Sequence, residues 1–122
     1  MDNAKYMLII GGNPLASNGS MMTVPNVKKR LQAIQQRGGR FVVIDPRRTE
    51  TADIADQHIF IRPGSDAYLL MAMIYTLFDE GLVNTGHLGD LLEGIDTVKN
   101  ICQSFTPELA EQETGVDAQL IR

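Results

Sequence analysis

Three short apolar runs punctuate the first half of the chain, and each stops at a turn-forming cluster. Tyr6-Met7-Leu8-Ile9-Ile10 is continuously apolar and ends at Gly11-Gly12-Asn13-Pro14. A run without polar alternation predicts a strand buried on both faces, as in a parallel sheet. Phe41-Val42-Val43-Ile44 repeats the pattern with β-branched residues and ends at Asp45-Pro46. His58-Ile59-Phe60-Ile61 is the third run, broken by Arg62-Pro63-Gly64.

Between and after these runs the apolar spacing changes to that of helices. Residues 11–23 are rich in Gly, Asn, Ser and Pro and read as a loop. Pro25 suits a first helical turn, Val27, Leu31 and Ile34 share one face, and Gly38-Gly39 ends the helix. A short helical turn is expected around residues 52–56. Ser65 or Asp66 is placed to cap a strong helix whose apolar stripe is Leu69, Leu70, Met73, Ile74, Leu77 and Phe78, closed by Gly81. Ile95, Val98, Cys102 and Phe105 share a face of a later helix. Thr106-Pro107-Glu108 looks like a capped start with Gly115 as its stop, and Asp117 caps one more turn.

Strand, helix, strand, strand, helix in this order predicts an α/β domain with a parallel sheet. Residues 1–84 read as the α/β core and 85–122 as a helical extension of it. Only three strands are legible and the chain stops within a helix, so the reading is of a segment of a longer protein. Leu91, Leu92, Leu120 and Ile121 are expected to lie exposed in that C-terminal part, where they would promote self-association.

Composition narrows the function classes. The chain has 122 residues, 43% hydrophobic and 21% charged, as in a soluble globular chain. Its apolar runs are far too short to span a bilayer. One cysteine and two histidines are too few for a disulfide, an iron–sulfur cluster or a usual zinc site within the chain. Neither a metal-ligand set nor a catalytic group stands out. Charge is uneven: residues 1–62 carry nine basic and five acidic side chains, residues 63–122 two basic and ten acidic. A basic half fits an anionic partner such as phosphate, and equally two solvated surfaces of different sign.

Candidate chemistry lies in three loops, each following a predicted strand: Gly11-Gly12-Asn13-Pro14, Asp45-Pro46-Arg47-Arg48 and Arg62-Pro63-Gly64-Ser65-Asp66. Ligands of open α/β sheets bind outside the carboxyl ends of the strands, so parallel strands predict that the loops share one sheet edge. Glycines let backbone N–H groups approach a phosphate. Asn13 can donate and accept. Asp45 ends the second strand, where an acidic residue often takes ribose hydroxyls. Arg47 or Arg48 can pair with phosphate oxygens. Asp66 can cap its own helix, or accept two N–H bonds from a guanine edge. Plainer roles compete. Gly-Gly-Asn-Pro is a common turn, Arg47 and Arg48 suit solvent, and His58 suits a partly buried strand position. His87 suits a loop, and Cys102, Met71 and Met73 suit a core.

Taken together, the motifs are more specific. Gly12-Asn13-Pro14 after an apolar strand is followed by Val42-Val43-Ile44-Asp45-Pro46-Arg47-Arg48-Thr49-Glu50-Thr51-Ala52. Ala55-Asp56 and Ile61-Arg62-Pro63-Gly64-Ser65-Asp66-Ala67 complete the set. This resembles the prokaryotic molybdopterin oxidoreductases, the dimethyl sulfoxide reductase superfamily that includes formate dehydrogenases and nitrate reductases. The likeness is strong over about residues 5–84. It continues through Glu80-Gly81-Leu82, Phe105-Thr106-Pro107-Glu108 and Thr114-Gly115-Val116. Two positions depart mildly, Ile10 where an aromatic residue is frequent and Ser65 where threonine is.

The resemblance implies a three-layer, dinucleotide-binding-like α/β domain holding the guanosine diphosphate end of one of two molybdopterin guanine dinucleotides. It implies that Ile10, Gly11, Gly12, Asn13, Pro14 and Ser17 lie against the diphosphate. Ile44, Asp45, Pro46, Arg47 and Arg48 would line the ribose and guanine pocket, and Gly64, Ser65 and Asp66 would read the guanine. The iron–sulfur motif, the molybdenum ligand and the second pterin site of such an enzyme fall outside these residues. Expected partners are the remaining domains of a parent oxidoreductase and an electron-transfer subunit, with no nucleic acid and no membrane contact from this segment. The expected compartment is cytoplasmic, with the periplasm open. A stand-alone nucleotide-binding or regulatory α/β module is the alternative reading.

Overall fold

Continuously apolar strands need cover on both faces, and parallel pairing needs a crossover between partners. The computed structural model, which describes residues 1–20 and 23–122 (Asp90 by its backbone alone), shows the parallel pairing, and only the central strand is covered on both faces: Phe41–Ile44 are buried, whereas the first and third strands are partly buried. Strands β1 (Tyr6–Ile10), β2 (Arg40–Ile44) and β3 (Gln57–Ile59) form a parallel sheet in that spatial order. Tyr6 pairs with Arg40 and Ile10 with Ile44, while Val42 pairs with Gln57 and Ile44 with Ile59. Met21 and Met22 of the predicted loop lie outside the described residues.

Helix α1 (Val27–Gln36) makes the first crossover and buries Val27, Leu31 and Ile34, the predicted stripe. It begins two residues after Pro25, because Asn26 takes a left-handed conformation (φ 57°) and serves as the N-cap. At its far end Gly38 turns left-handed (φ 76°). Gly39 lets the helix end pass close to the start of β1: a Cβ there would lie 2.5 Å from the Lys5 carbonyl oxygen. The core gathers Ile9, Val27, Leu31, Ile34, Phe41, Val43 and Ala52.

Helix α2 (Glu50–Asp53) is a single turn, capped by Thr49, whose hydroxyl accepts from the Ala52 N–H. It starts earlier than the turn expected over 52–56 because that cap sets its first residue. β3 is shorter than the predicted 58–61. The ladder ends where Asp45 donates its N–H to the Ile59 carbonyl, since the next N–H on that side, Arg47's, turns back to Asp45 Oδ1. Phe60 is left exposed.

The chain divides into two compact units, Met1–Phe60 and Ile61–Arg122. The second is helical: α3 (Asp66–Asp79), a 3₁₀ turn over Gly86–Leu91, α4 (Ile95–Cys102), α5 (Pro107–Thr114) and α6 (Ala118–Ile121). Of the predicted stripe on α3, Leu69 is buried but Leu70 and Leu77 are exposed; the buried face is completed by Ala72 and Thr76. Small residues let α3 lie against α5, which contributes Ala110 and Thr114. Both threonine hydroxyls are satisfied within their own helices, Thr76 donating to the Ala72 carbonyl and Thr114 to that of Ala110. On α4, Cys102 is buried as expected, whereas Val98 is exposed. The predicted punctuation of the last helices is observed. Thr106 accepts from the Leu109 N–H, Gly115 ends α5 at φ 76°, and Asp117 accepts from the N–H groups of Gln119 and Leu120.

Candidate functional site

The carboxyl ends of β1 and β2 carry the first two candidate loops. Gly11 continues the ladder for one residue, donating its N–H to the Ile44 carbonyl at 2.9 Å. It then turns left-handed (φ 62°), with open space where a side chain would stand. The next two backbone N–H groups, those of Gly12 and Asn13, have no acceptor among the described residues. Beyond them the loop folds on itself, as the Asn13 carbonyl accepts from Ala16 and Ser17 and Pro14 is buried. Ile10, Gly12, Asn13, Pro14 and Ser17 line a cleft of about 220 Å³ together with β1 residues Met7, Leu8 and Ile9.

The Asn13 side chain is engaged at both ends by α2. Its Oδ1 accepts from the Thr51 hydroxyl at 2.7 Å, and its Nδ2 donates to Glu50 Oε2 at 2.7 Å. The Thr51 oxygen in turn accepts from the Leu15 N–H at 3.1 Å. That bond from Asn13, above all, holds the Glu50 carboxyl below its ordinary value; a backbone bond and the Arg47 charge act in the same direction.

In the second loop, Ile44 and Asp45 are buried while Pro46, Arg47 and Arg48 are exposed. Asp45 Oδ1 accepts from the Arg47 N–H at 2.8 Å, so half of this carboxylate shapes the turn. The Asp45 carbonyl lies 3.1 Å from His58 Nε2; a carbonyl can only accept, so Nε2 carries the proton. His58 Nδ1 is buried without a protein partner among the described residues. Arg48 pairs with Asp53 at 2.7 Å, but both side chains are 60% exposed, and such a pair is readily exchanged for another anion.

The third loop belongs to the second unit. Gly64 is left-handed (φ 79°). Ser65 is the N-cap of α3 by position but makes no capping bond, because its hydroxyl donates to the Arg62 carbonyl at 2.6 Å. Asp66 is the first helical residue. Arg62 ties the loop to α5, its guanidinium donating to the carbonyls of Gln112 and Glu113, where the negative end of the helix dipole favours a cation.

Thr51 and Glu50 did not stand out in the sequence as site residues. The signal available was their place in Thr49-Glu50-Thr51-Ala52, directly after the arginines. Among the described residues, no group of three His, Cys, Asp or Glu side chains could hold a metal ion. Among the described residues, no helix is long and apolar enough to cross a membrane.

Comparison with known proteins gives a consistent picture. The family model described as molybdopterin oxidoreductase matches residues 1–116. Formate dehydrogenase H of Escherichia coli is 34% identical over 122 residues, covering 100% of this chain and 16% of the relative. The assimilatory nitrate reductase catalytic subunit of Bacillus subtilis is 31% identical over 98 residues, 80% of this chain and 14% of the relative. Among solved structures, acetylene hydratase from Pelobacter acetylenicus superposes with a TM-score of 0.81 at 30% identity, covering 97% of this chain and 16% of that one. The chain thus spans about a sixth of the length of these relatives.

Proposed function

Because the chain belongs to the molybdopterin oxidoreductase family, we propose that its first unit binds the guanosine diphosphate end of a molybdopterin guanine dinucleotide. The observation that carries this reading is the pair of N–H groups at Gly12 and Asn13 that have no acceptor among the described residues, set in a loop that follows a parallel strand. Consecutive free N–H groups form a concavity suited to phosphate oxygens. The residues present fit the group. Gly11 leaves open space where a Cβ would intrude, so a diphosphate can approach the backbone. Asp45 keeps one carboxylate oxygen beyond its turn bond for a ribose hydroxyl. Arg47 and Arg48 supply exposed positive charge at the same strand end. Asp66, taken by itself in the second unit, is proposed as the acceptor of the two guanine N–H groups, on the strength of its place in the first turn of α3.

When bound, the cofactor supplies a molybdenum centre for redox chemistry. This chain's own residues bind and orient it, which is the protein's usual share in cofactor enzymes. The whole protein is accordingly proposed to be a molybdenum-dependent oxidoreductase of formate dehydrogenase or nitrate reductase type. Its molybdenum ligand, iron–sulfur centres and electron-transfer partner would lie outside these 122 residues.

The test is a titration of the chain with guanosine diphosphate and adenosine diphosphate, followed by amide chemical shifts. Shifts at Gly12, Asn13 and residues 44–48 are expected, with the guanine nucleotide favoured. Adenine has no N1 hydrogen to offer Asp66, and a lost charge-assisted bond costs about 1.5–3 kcal/mol, roughly tenfold to a hundredfold in affinity. Asp66→Asn should erase that preference. An equal response to both nucleotides would remove the guanine assignment, and shifts confined to other residues would remove the site.

A further inference from the structure

The two candidate loops of the first unit are joined by one buried hydroxyl. Thr51 is fully buried, and its oxygen sits between the loops with both of its bonding roles in use. It accepts from the Leu15 N–H and donates its single proton to Asn13 Oδ1. The amide of Asn13 is thereby oriented, with its oxygen toward Thr51 and its nitrogen toward the Glu50 carboxylate. The backbone N–H of Asn13 itself is one of the two without an acceptor among the described residues. Thr51 lies on the single turn that follows Asp45–Arg48, and that turn is held by its own threonine cap. The second loop therefore fixes the position of the first.

We infer that Thr51 is a positioning residue for anion binding, which presents the Gly12 and Asn13 N–H groups to a diphosphate by clamping Asn13 and Leu15 to α2. This rests on the nucleotide reading above and deepens it. Asn13 serves the ligand through its backbone, and its side chain serves the scaffold. One amide hydrogen of Asn13 remains beyond the Glu50 bond. The clamp also predicts coupling: an anion on the first loop stiffens α2, and loosening α2 weakens the anion.

The experiment compares wild type, Thr51→Val and Thr51→Ser in the full 122-residue chain. Valine keeps the shape and removes the hydroxyl, while serine keeps the hydroxyl. Two readouts are taken. The first needs no ligand: hydrogen exchange at the Leu15 amide and the carboxyl titration of Glu50. In Thr51→Val the Leu15 amide should exchange roughly tenfold faster, as expected for the loss of one hydrogen bond, and the Glu50 titration should move back up toward its ordinary value. Serine should leave both as in wild type. The second readout is guanosine diphosphate affinity, expected to fall about tenfold in valine and to be retained in serine.

If Thr51→Val leaves Leu15 and Glu50 unchanged, the clamp does not exist and the inference is overturned. If they change while diphosphate affinity does not, the clamp is structural only, and the positioning role is overturned while the nucleotide site stands. If wild type binds no diphosphate, the functional reading fails first and takes the positioning role with it. Should Thr51→Val not fold, Glu50→Ala reads the clamp from its exposed end. It should release the Asn13 side-chain amide and weaken the diphosphate about threefold, an effect at the lower end for one hydrogen bond. No change in either would overturn the inference.

Discussion

A methyl group added at Gly39 would sit 2.5 Å from the Lys5 carbonyl oxygen and 2.9 Å from Ile34 Cγ2. Neither neighbour can retreat, one being backbone and the other a fully buried side chain. Gly39→Ala should therefore cost about 1–3 kcal/mol, as overpacking does, read as a lowered urea midpoint. Gly38→Ala meets nothing within 4 Å and bears only the strain of a left-handed backbone, about 1–2 kcal/mol. Cys102 answers to burial rather than backbone. Its thiol is 1% exposed and pushed above its ordinary value by desolvation, so alkylation at neutral pH should be slow until the second unit opens. Fast labelling in the native state would contradict that placement. Glu50 sets a pH dependence of known sign. Its carboxyl is held low in the folded chain, so the Asn13 bond is in full effect above the ordinary glutamate range. Its contribution declines as pH falls through that range toward the lower folded value. Carboxyl-carbon titration should show Glu50 below its ordinary value, and Asn13→Ala should raise it.

At the scale of elements, the caps carry separable contributions. Thr106→Ala removes the side-chain N-cap of α5 and should cost about 1 kcal/mol, measurable by thermal unfolding. Such punctuation was legible in the sequence because it is local: Thr106-Pro107, Gly115 and Asp117 all do what their residue types favour. The three strands were legible for a related reason, since an unbroken apolar run has few other uses. The face of α3 was not. Periodicity weights large apolar residues, whereas this helix packs through Ala72 and Thr76, which a hydrophobic pattern discounts. Asn26 was missed because nothing local announces a left-handed N-cap in place of the expected turn at Pro25. Among the proposed site residues, Gly12, Asn13 and Asp45 stand out in the sequence by their places at strand ends. Thr51 does not, because its partner Asn13 lies far away in the chain and the bond between them is a product of the fold.

On the scale of the whole chain, apolar exposure is concentrated in the second unit, where Leu82, Leu91, Leu92, Ile101 and Leu120 are all exposed. Leu91, at 77%, is the extreme case, while Ile121, expected to be exposed with it, is half-buried. Sedimentation velocity should show weight-average mass rising with concentration, and Leu91→Asp should reduce that rise. A single sharp monomer boundary at all concentrations would contradict it. The parallel register of the first unit carries a different consequence, one of timing. Tyr6 pairs with Arg40, so β1 is synthesised long before its partner strand exists. At about 5–20 residues per second, translation leaves that apolar segment unpaired for a time on the order of seconds. It cannot hairpin with its successor, because a parallel partner must wait for the crossover helix. Nascent β1 is therefore a segment that a chaperone would hold. Slowing translation in the interval when β1 has left the ribosome and Arg40–Ile44 has not would lengthen its exposure.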